Sequence, residues 1–245
     1  MSPDQGGLTI ITGTDTDVGK TMVTAALAAH LTQRGLPPVV CKPAQTGALP
    51  GQDADLATVG RMAALPPHHL IEWARLHEPL APTTAARRAG ITLPSVKQIA
   101  ERLLPLAAAH PAVLVEGAGG LLVGLDNDGA GLLELADALV TLGTSPRFIV
   151  VTRPGLGTLN HTALTVRTIR ASGHHLDGLV VGSWPEHPSL AERCNAVDLA
   201  RIAPILAALP EGLGQGGATT PDTLAAAWGT APASFAASIP EQEAR

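Results

Sequence analysis

The chain has 245 residues, 45% of them hydrophobic and 15% charged, with a formal net charge of −5. That is enough for one large α/β domain with a sizeable buried core. With no long Lys/Arg run and only 2% aromatic residues, it lacks the basic footprint and stacking rings that a nucleic-acid partner requires.

Short apolar runs alternate with longer helical patterns. Leu8–Thr12 reads as a strand, and Lys20–Gln33 as a helix with Met22, Val23, Ala26, Leu27 and Leu31 at helical spacing. Gly35 and Pro37-Pro38 stop that helix. Val39–Lys42 is the next strand and Asp53–Met62 a helix. Ser95 caps a helix over Ser95–Ala109, with Val96, Ile99, Leu103 and Leu106 on one face. Ala112–Glu116 is a buried strand. Leu132–Leu142, Arg147–Thr152, Leu159–Ser172 and Leu176–Gly182 continue the alternation. Ser189–Ile202 is a helix and Pro204–Leu209 a last short strand. This order predicts a mostly parallel sheet with helices on both faces, because strands such as AVLV and FIVV are apolar throughout. Residues 1–212 form the expected domain. Residues 213–245, rich in Gly, Ala and Pro, are expected to be partly helical or disordered, with a helix around Thr223–Trp228 docking through Trp228.

Two cysteines, Cys41 and Cys194, make no disulfide framework and read as reduced thiols. MSPDQGG is no signal peptide, and no apolar run reaches transmembrane length, so the expectation is a soluble cytoplasmic protein without a membrane partner.

Three polar motifs fall at carboxyl ends of strands, where parallel sheets bind ligands. TGTDTDVGKT (Thr12–Thr21) follows a strand and opens a helix, the setting of a phosphate-binding loop. Its G-K-T triplet matches the usual pattern, but Thr14 stands where the first glycine is expected, and Asp15 and Asp17 add negative charge. Backbone N–H groups and the helix N-terminus form an anion cradle, with Lys20 reaching the β- and γ-phosphates and Thr21 ligating Mg2+. The nucleotide-binding stretch is read as Asp17, Val18, Gly19, Lys20, Thr21 and Met22.

CKPAQTG (Cys41–Gly47) puts Lys42 at the mouth of the second strand. Two ammonium groups there, Lys20 and Lys42, would offset charge developing in phosphoryl transfer. Asp55, at a helix start, is either a first-turn acid complementing the helix dipole or a Mg2+ ligand. In VEGAGG, Glu116 ends an apolar strand, where packing does not explain a carboxylate. With Thr21 and Asp55 it makes a Mg2+ set, and Gly117, Ala118 and Gly119 follow it along the nucleotide. Gly157, Thr158, Leu159 and Asn160 open a helix whose free N–H groups would bind a carboxylate, though Thr158 would serve equally as an N-cap.

With GTDTDVGKT, CKPAQTG, the aspartate of DADLA, VEGAGG and LGTLNH in this order over roughly residues 8–212, the chain resembles the dethiobiotin synthetases. The resemblance implies a single P-loop NTPase-like domain. It also implies a C–N bond-forming cyclo-ligase of biotin synthesis, which converts 7,8-diaminononanoate, CO2 and ATP to dethiobiotin, ADP and phosphate with Mg2+. Lys42 and Lys20 would be catalytic, and Thr16 and Thr46 would meet the diamine or carbamate end. Gly157–Asn160 would bind the substrate carboxylate across a homodimer interface. Base contacts would come from Gly182, Ser183, Pro210, Glu211 and Gly212. Many members carry an adenine-reading Asn where this chain has Gly182, which predicts weak discrimination among ATP, CTP and GTP. Two rivals share the fold: a partition-ATPase-type switch, whose early loop lysine is missing here, and a cobyrinate amide synthase-like ligase, whose glutaminase domain would not fit in this length.

Overall fold

The computed structural model describes residues 7–48, 54–214, 219–229 and 231–238. Seven parallel strands form one sheet: β1 (Gly7–Gly13), β2 (Val39–Lys42), β4 (Leu70–Glu72), β6 (Ala112–Gly120), β7 (Arg147–Thr152), β8 (His175–Trp184) and β9 (Ile205–Pro210), in the order β4-β2-β6-β1-β7-β8-β9. β3 (Gln45–Thr46) and β5 (Arg75–Leu76) pair separately beside it.

Successive strand residues face opposite sides, so each strand feeds two cores. Ile11, Leu114, Val151 and Val180 face one core, with α1 (Lys20–Gln33), α2 (Asp55–Ala63) and α8 (Pro221–Gly229) over them. Ile10, Val115, Val150 and Val181 face the other, under α4 (Val96–Ala109), α5 (Leu132–Thr141), α6 (Thr158–Ala171) and α7 (Leu190–Ile202). α1 carries the run Ala25, Ala26, Leu27, Ala28 and Ala29, all buried. Small side chains let it lie close to the sheet while α2 and α8 pack on its flanks.

The expected elements stand close to their expected bounds. α1 and β2 have them unchanged. Ser95 caps α4 through a capping box with Gln98, and Ser189 does the same for α7 with Glu192. Three elements differ by two residues or more at an end. β6 runs on to Gly120, because its glycine stretch continues beside Gly13. β8 extends past Gly182 to Trp184. α2 starts at Asp55, and Asp53 lies outside the described residues. Residues 64–92 add β4, β5 and α3 (Pro82–Ala89), which packs Ala85 and Ala86 on Leu76. Of the C-terminal segment, α8 and α9 (Ala233–Ala236) are described, and Trp228 is buried against α1's side of the sheet.

Candidate active site

The sheet's order brings the carboxyl ends of β1, β2 and β6 side by side, and the loops leaving them surround a cleft of about 460 Å3. Thr16, Asp17, Gly19, Lys20, Thr21 and Met22 wall it from the first loop and α1. Lys42, Thr46 and Asp55 come from the β2 side, and Glu116, Ala118 and Gly119 from β6. Val18 is buried beneath the loop. Gly117 packs against Leu132 and the Ile11 carbonyl, and does not line the cleft.

The loop's shape follows from backbone constraints. Asp17 (φ 55°) and Gly19 (φ 95°) are left-handed, and Gly19 is the N-cap of α1. A Cβ on Gly19 would lie 2.8 Å from the Gly182 carbonyl oxygen, and one on Gly182 would fall onto the Val18 carbonyl. The end of β8 and the phosphate loop therefore pack backbone to backbone, and only glycine permits it. The Lys20 ammonium donates to the Asp15 carbonyl at 2.9 Å, and the Asp15 carboxylate accepts from the Thr16 N–H at 2.8 Å. One acid of the loop thus orders the loop itself, while Asp17 faces the cleft.

Glu116 is fully buried. Its Oε1 accepts from the Lys42 ammonium at 2.7 Å and from the Thr21 hydroxyl at 3.1 Å, and its Oε2 accepts from Thr24 at 2.7 Å. Lys42 also ion-pairs with the Asp55 carboxylate, so the ammonium lies between two acids. Burial by itself would depress the Lys42 pKa, but Glu116 and Asp55 outweigh it and hold the group above the ordinary lysine value. Burial pushes Lys20 below that value against the pull of Glu116, and the positive charge of Lys42 adds to the effect. Two lysines in one cleft are thereby biased in opposite directions.

Thr21, Asp55 and Glu116 offer only hard oxygen donors, the type Mg2+ takes; both carboxylates meet on the Lys42 ammonium, and the Thr21 hydroxyl donates to Glu116. Two carboxylates and a hydroxyl leave room for phosphate oxygens and water, which Mg2+ prefers to an all-protein cage.

The remaining expected residues do not line the cleft. Gly182, Ser183, Pro210, Glu211 and Gly212 are at the ends of β8 and β9, with Gly182 against the phosphate loop's backbone. Gly157 caps α6 with φ 88°, and Thr158 is buried in a hydroxyl cluster with Thr152 (2.7 Å) and Thr162. Gly157–Asn160 do not line the cleft of this chain. Two residues with direct parts in the site were not foreseen. Thr24 lies one helical turn beyond Thr21 on the same face of α1, so the K-T-x-x-T spacing carries its signal. Gln45 accepts from the Asp55 N–H at 3.3 Å, a contact that no local pattern announces.

A family model described as an AAA domain matches residues 9–214. The ATP-dependent dethiobiotin synthetase BioD of Rhodococcus jostii (strain RHA1) is 47% identical over 221 residues, covering 89% of this chain and 93% of that one. The protein of the same name from Saccharopolyspora erythraea is 51% identical over 205 residues, covering 83% and 87%. Among solved structures, the septum site-determining protein MinD of Pyrococcus horikoshii, complexed with Mg-ADP, aligns with a TM-score of 0.51 at 15% identity, covering 97% of this chain and 90% of that one. That likeness speaks for the fold alone. The family match takes in every residue that lines the cleft, and the relatives share about half of their residues with it over nearly their whole length: the chain belongs to the ATP-dependent dethiobiotin synthetase family.

Proposed function

We propose that the protein closes the ureido ring of dethiobiotin from 7,8-diaminononanoate and CO2, using ATP and releasing ADP and phosphate. The observation that carries this reading is the Lys42 ammonium, buried between Glu116 and Asp55 and sharing a cleft with Lys20 of the phosphate loop. Such chemistry brings a carbamate anion to a triphosphate, and two lysines and a divalent cation offset both charges.

In this reading the loop amides and Lys20 hold the β- and γ-phosphates. Thr21, Asp55 and Glu116 would hold Mg2+, which when bound would draw charge from the phosphate oxygens. Thr16 and Thr46 meet the diamine end, where one amine has taken up CO2. The carbamate oxygen attacks the γ-phosphorus and ADP leaves. The second amine then attacks the carbamoyl carbon, phosphate is expelled, and the ring closes. Lys42 neutralises charge on the transferred group. The cleft-lining Asp17 attracts the amine in its ammonium form or orders water near the cation.

The substrate carboxylate is received by the α6 N-terminus, Gly157–Asn160, of a second copy. Support comes from its separation from this chain's own cleft and from Leu156 and Leu164 beside it, 81% and 58% exposed. A homodimer working in the cytoplasm follows; no helix among the described residues is long and apolar enough to cross a membrane. Since Gly182 offers a base no side chain, ATP, CTP and GTP should turn over at comparable rates, and an ATP preference of about a hundredfold or more would overturn that part. The relatives favour this synthesis over a partition-type switch or a cobyrinate amide synthase-like ligase.

The test is direct. Protein given diaminononanoate, bicarbonate, ATP and Mg2+ should make dethiobiotin, detected by mass spectrometry, and should consume ATP only when diamine and bicarbonate are both present. Slow ATP hydrolysis without them, and no product, would sink the reading. Lys42→Gln should make none while keeping the wild-type circular dichroism spectrum; product from that variant would refute the role given to Lys42.

A further inference from the structure

We propose that the C-terminal residues Ser234 and Phe235 position the nucleotide's base, through Trp184, without touching the nucleotide. The proposal rests on the reading that the base is contacted by the ends of β8 and β9.

α8 packs on the α1 face of the sheet, and Phe235 in α9 packs into the opposite core, so the chain changes face between them. At its far end it meets Trp184, the last residue of β8. The Phe235 ring stands edge-on to the Trp184 ring (centroids 4.9 Å apart, planes at 86°), and the indole N–H donates to the Ser234 hydroxyl at 3.0 Å. Both rings are buried, at 3% and 1% exposure. An edge-to-face pair with a hydrogen bond fixes the indole in plane and in rotation.

Trp184 ties the two segments together. Its carbonyl accepts from the Glu211 N–H at 2.7 Å, and Trp184 is in register with Pro210, so the turn Pro210–Gly212 hangs from it. Two residues earlier on the same strand, Gly182 abuts the Val18 carbonyl of the phosphate loop. Ser234 and Phe235 hold the indole, and the backbone of the same residue carries the 210–212 turn on the strand that abuts the phosphate loop. On the base reading, the nucleoside lies between that turn and the loop. Neither Ser234 nor Phe235 lines the cleft, so both are positioning residues.

The inference separates base binding from phosphate binding. Calorimetric dissociation constants would be measured for ATP and for inorganic tripolyphosphate, which has no base, on wild type, Ser234→Ala, Phe235→Leu and Phe235→Ala. Wild type should bind ATP more tightly than tripolyphosphate. Phe235→Ala should weaken ATP about tenfold and leave tripolyphosphate within about twofold. Ser234→Ala and Phe235→Leu, which keep most of the packing, should move ATP in the same direction by less, and decide the matter if Phe235→Ala does not fold. Equal weakening of both ligands, or no change in either, would overturn the proposal while leaving the base reading intact. Equal affinity of wild type for ATP and tripolyphosphate would overturn the base reading, and the proposal with it.

Discussion

Glu116 sits where a carboxylate is expensive to keep. Fully enclosed, it needs a donor on each oxygen, because an unpaired buried charge costs several kcal/mol. Lys42 and Thr21 serve one oxygen and Thr24 the other. Thr24→Val keeps the shape and removes the one donor to Oε2 among the described residues, so the variant should lose about 2 kcal/mol of stability, read from urea unfolding. An unchanged midpoint would mean that Oε2 finds another donor. The two thiols allow a second check at this scale. Cys194 is exposed, while burial raises the Cys41 thiol from 9.0 to about 12. In native protein at pH 8 a disulfide reagent should modify one cysteine promptly, and the second only in denaturant. The sign of the linked stability follows: the unfolded thiol loses its proton first, so the contribution of Cys41 is whole below pH 9 and is lost as pH rises toward 12.

Among the elements, those with a full period were readable. The spacing of Val23, Leu27 and Leu31 marks α1, and the unbroken apolar runs of β6 and β7 mark strands covered on both faces. β4, β3 and β5 have three residues or fewer, too short to display a period, and owe their form to neighbours: β4 to β2, and β3 and β5 to each other. Most residues that line the cleft could be named one by one, but their arrangement could not. Lys42 and Glu116 are 74 positions apart, and nothing local says that Lys42 will lie between Glu116 and Asp55 instead of pointing to solvent. Gly182 shows the same limit. In sequence it is a missing side chain; in the fold it is a contact that allows no side chain, because a Cβ would collide with the Val18 carbonyl. Gly182→Asn should therefore not restore adenine selectivity. It should push the phosphate loop away and weaken ATP and tripolyphosphate together, by about tenfold or more in each dissociation constant. Tighter ATP binding by this variant would show that the loop yields.

Across the whole molecule, α8 and Phe235 of the C-terminal segment belong to the cores. Trp228 is 5% exposed and α8 lies along α1, with Gln33 donating to Asp222 at 2.7 Å. Trp228→Ala should cost about 3–5 kcal/mol, read as a lower denaturation midpoint with an unchanged slope. A shift under about 0.5 kcal/mol would make α8 an ornament.

The placement of β1 in the middle of the sheet has a bearing on how the protein is made. β1 leaves the ribosome before the other described strands, but the two that flank it, β6 and β7, come about 100 and about 140 residues later, and at about 5–20 residues per second those are waits of about 5–20 s and about 7–28 s. Through that interval Leu8, Ile10 and Ile11 have no sheet to join, and the phosphate loop behind them has no floor. During synthesis β1 stands in need of a chaperone's shelter, and an early stop before β7 would leave a sticky fragment in place of a smaller enzyme.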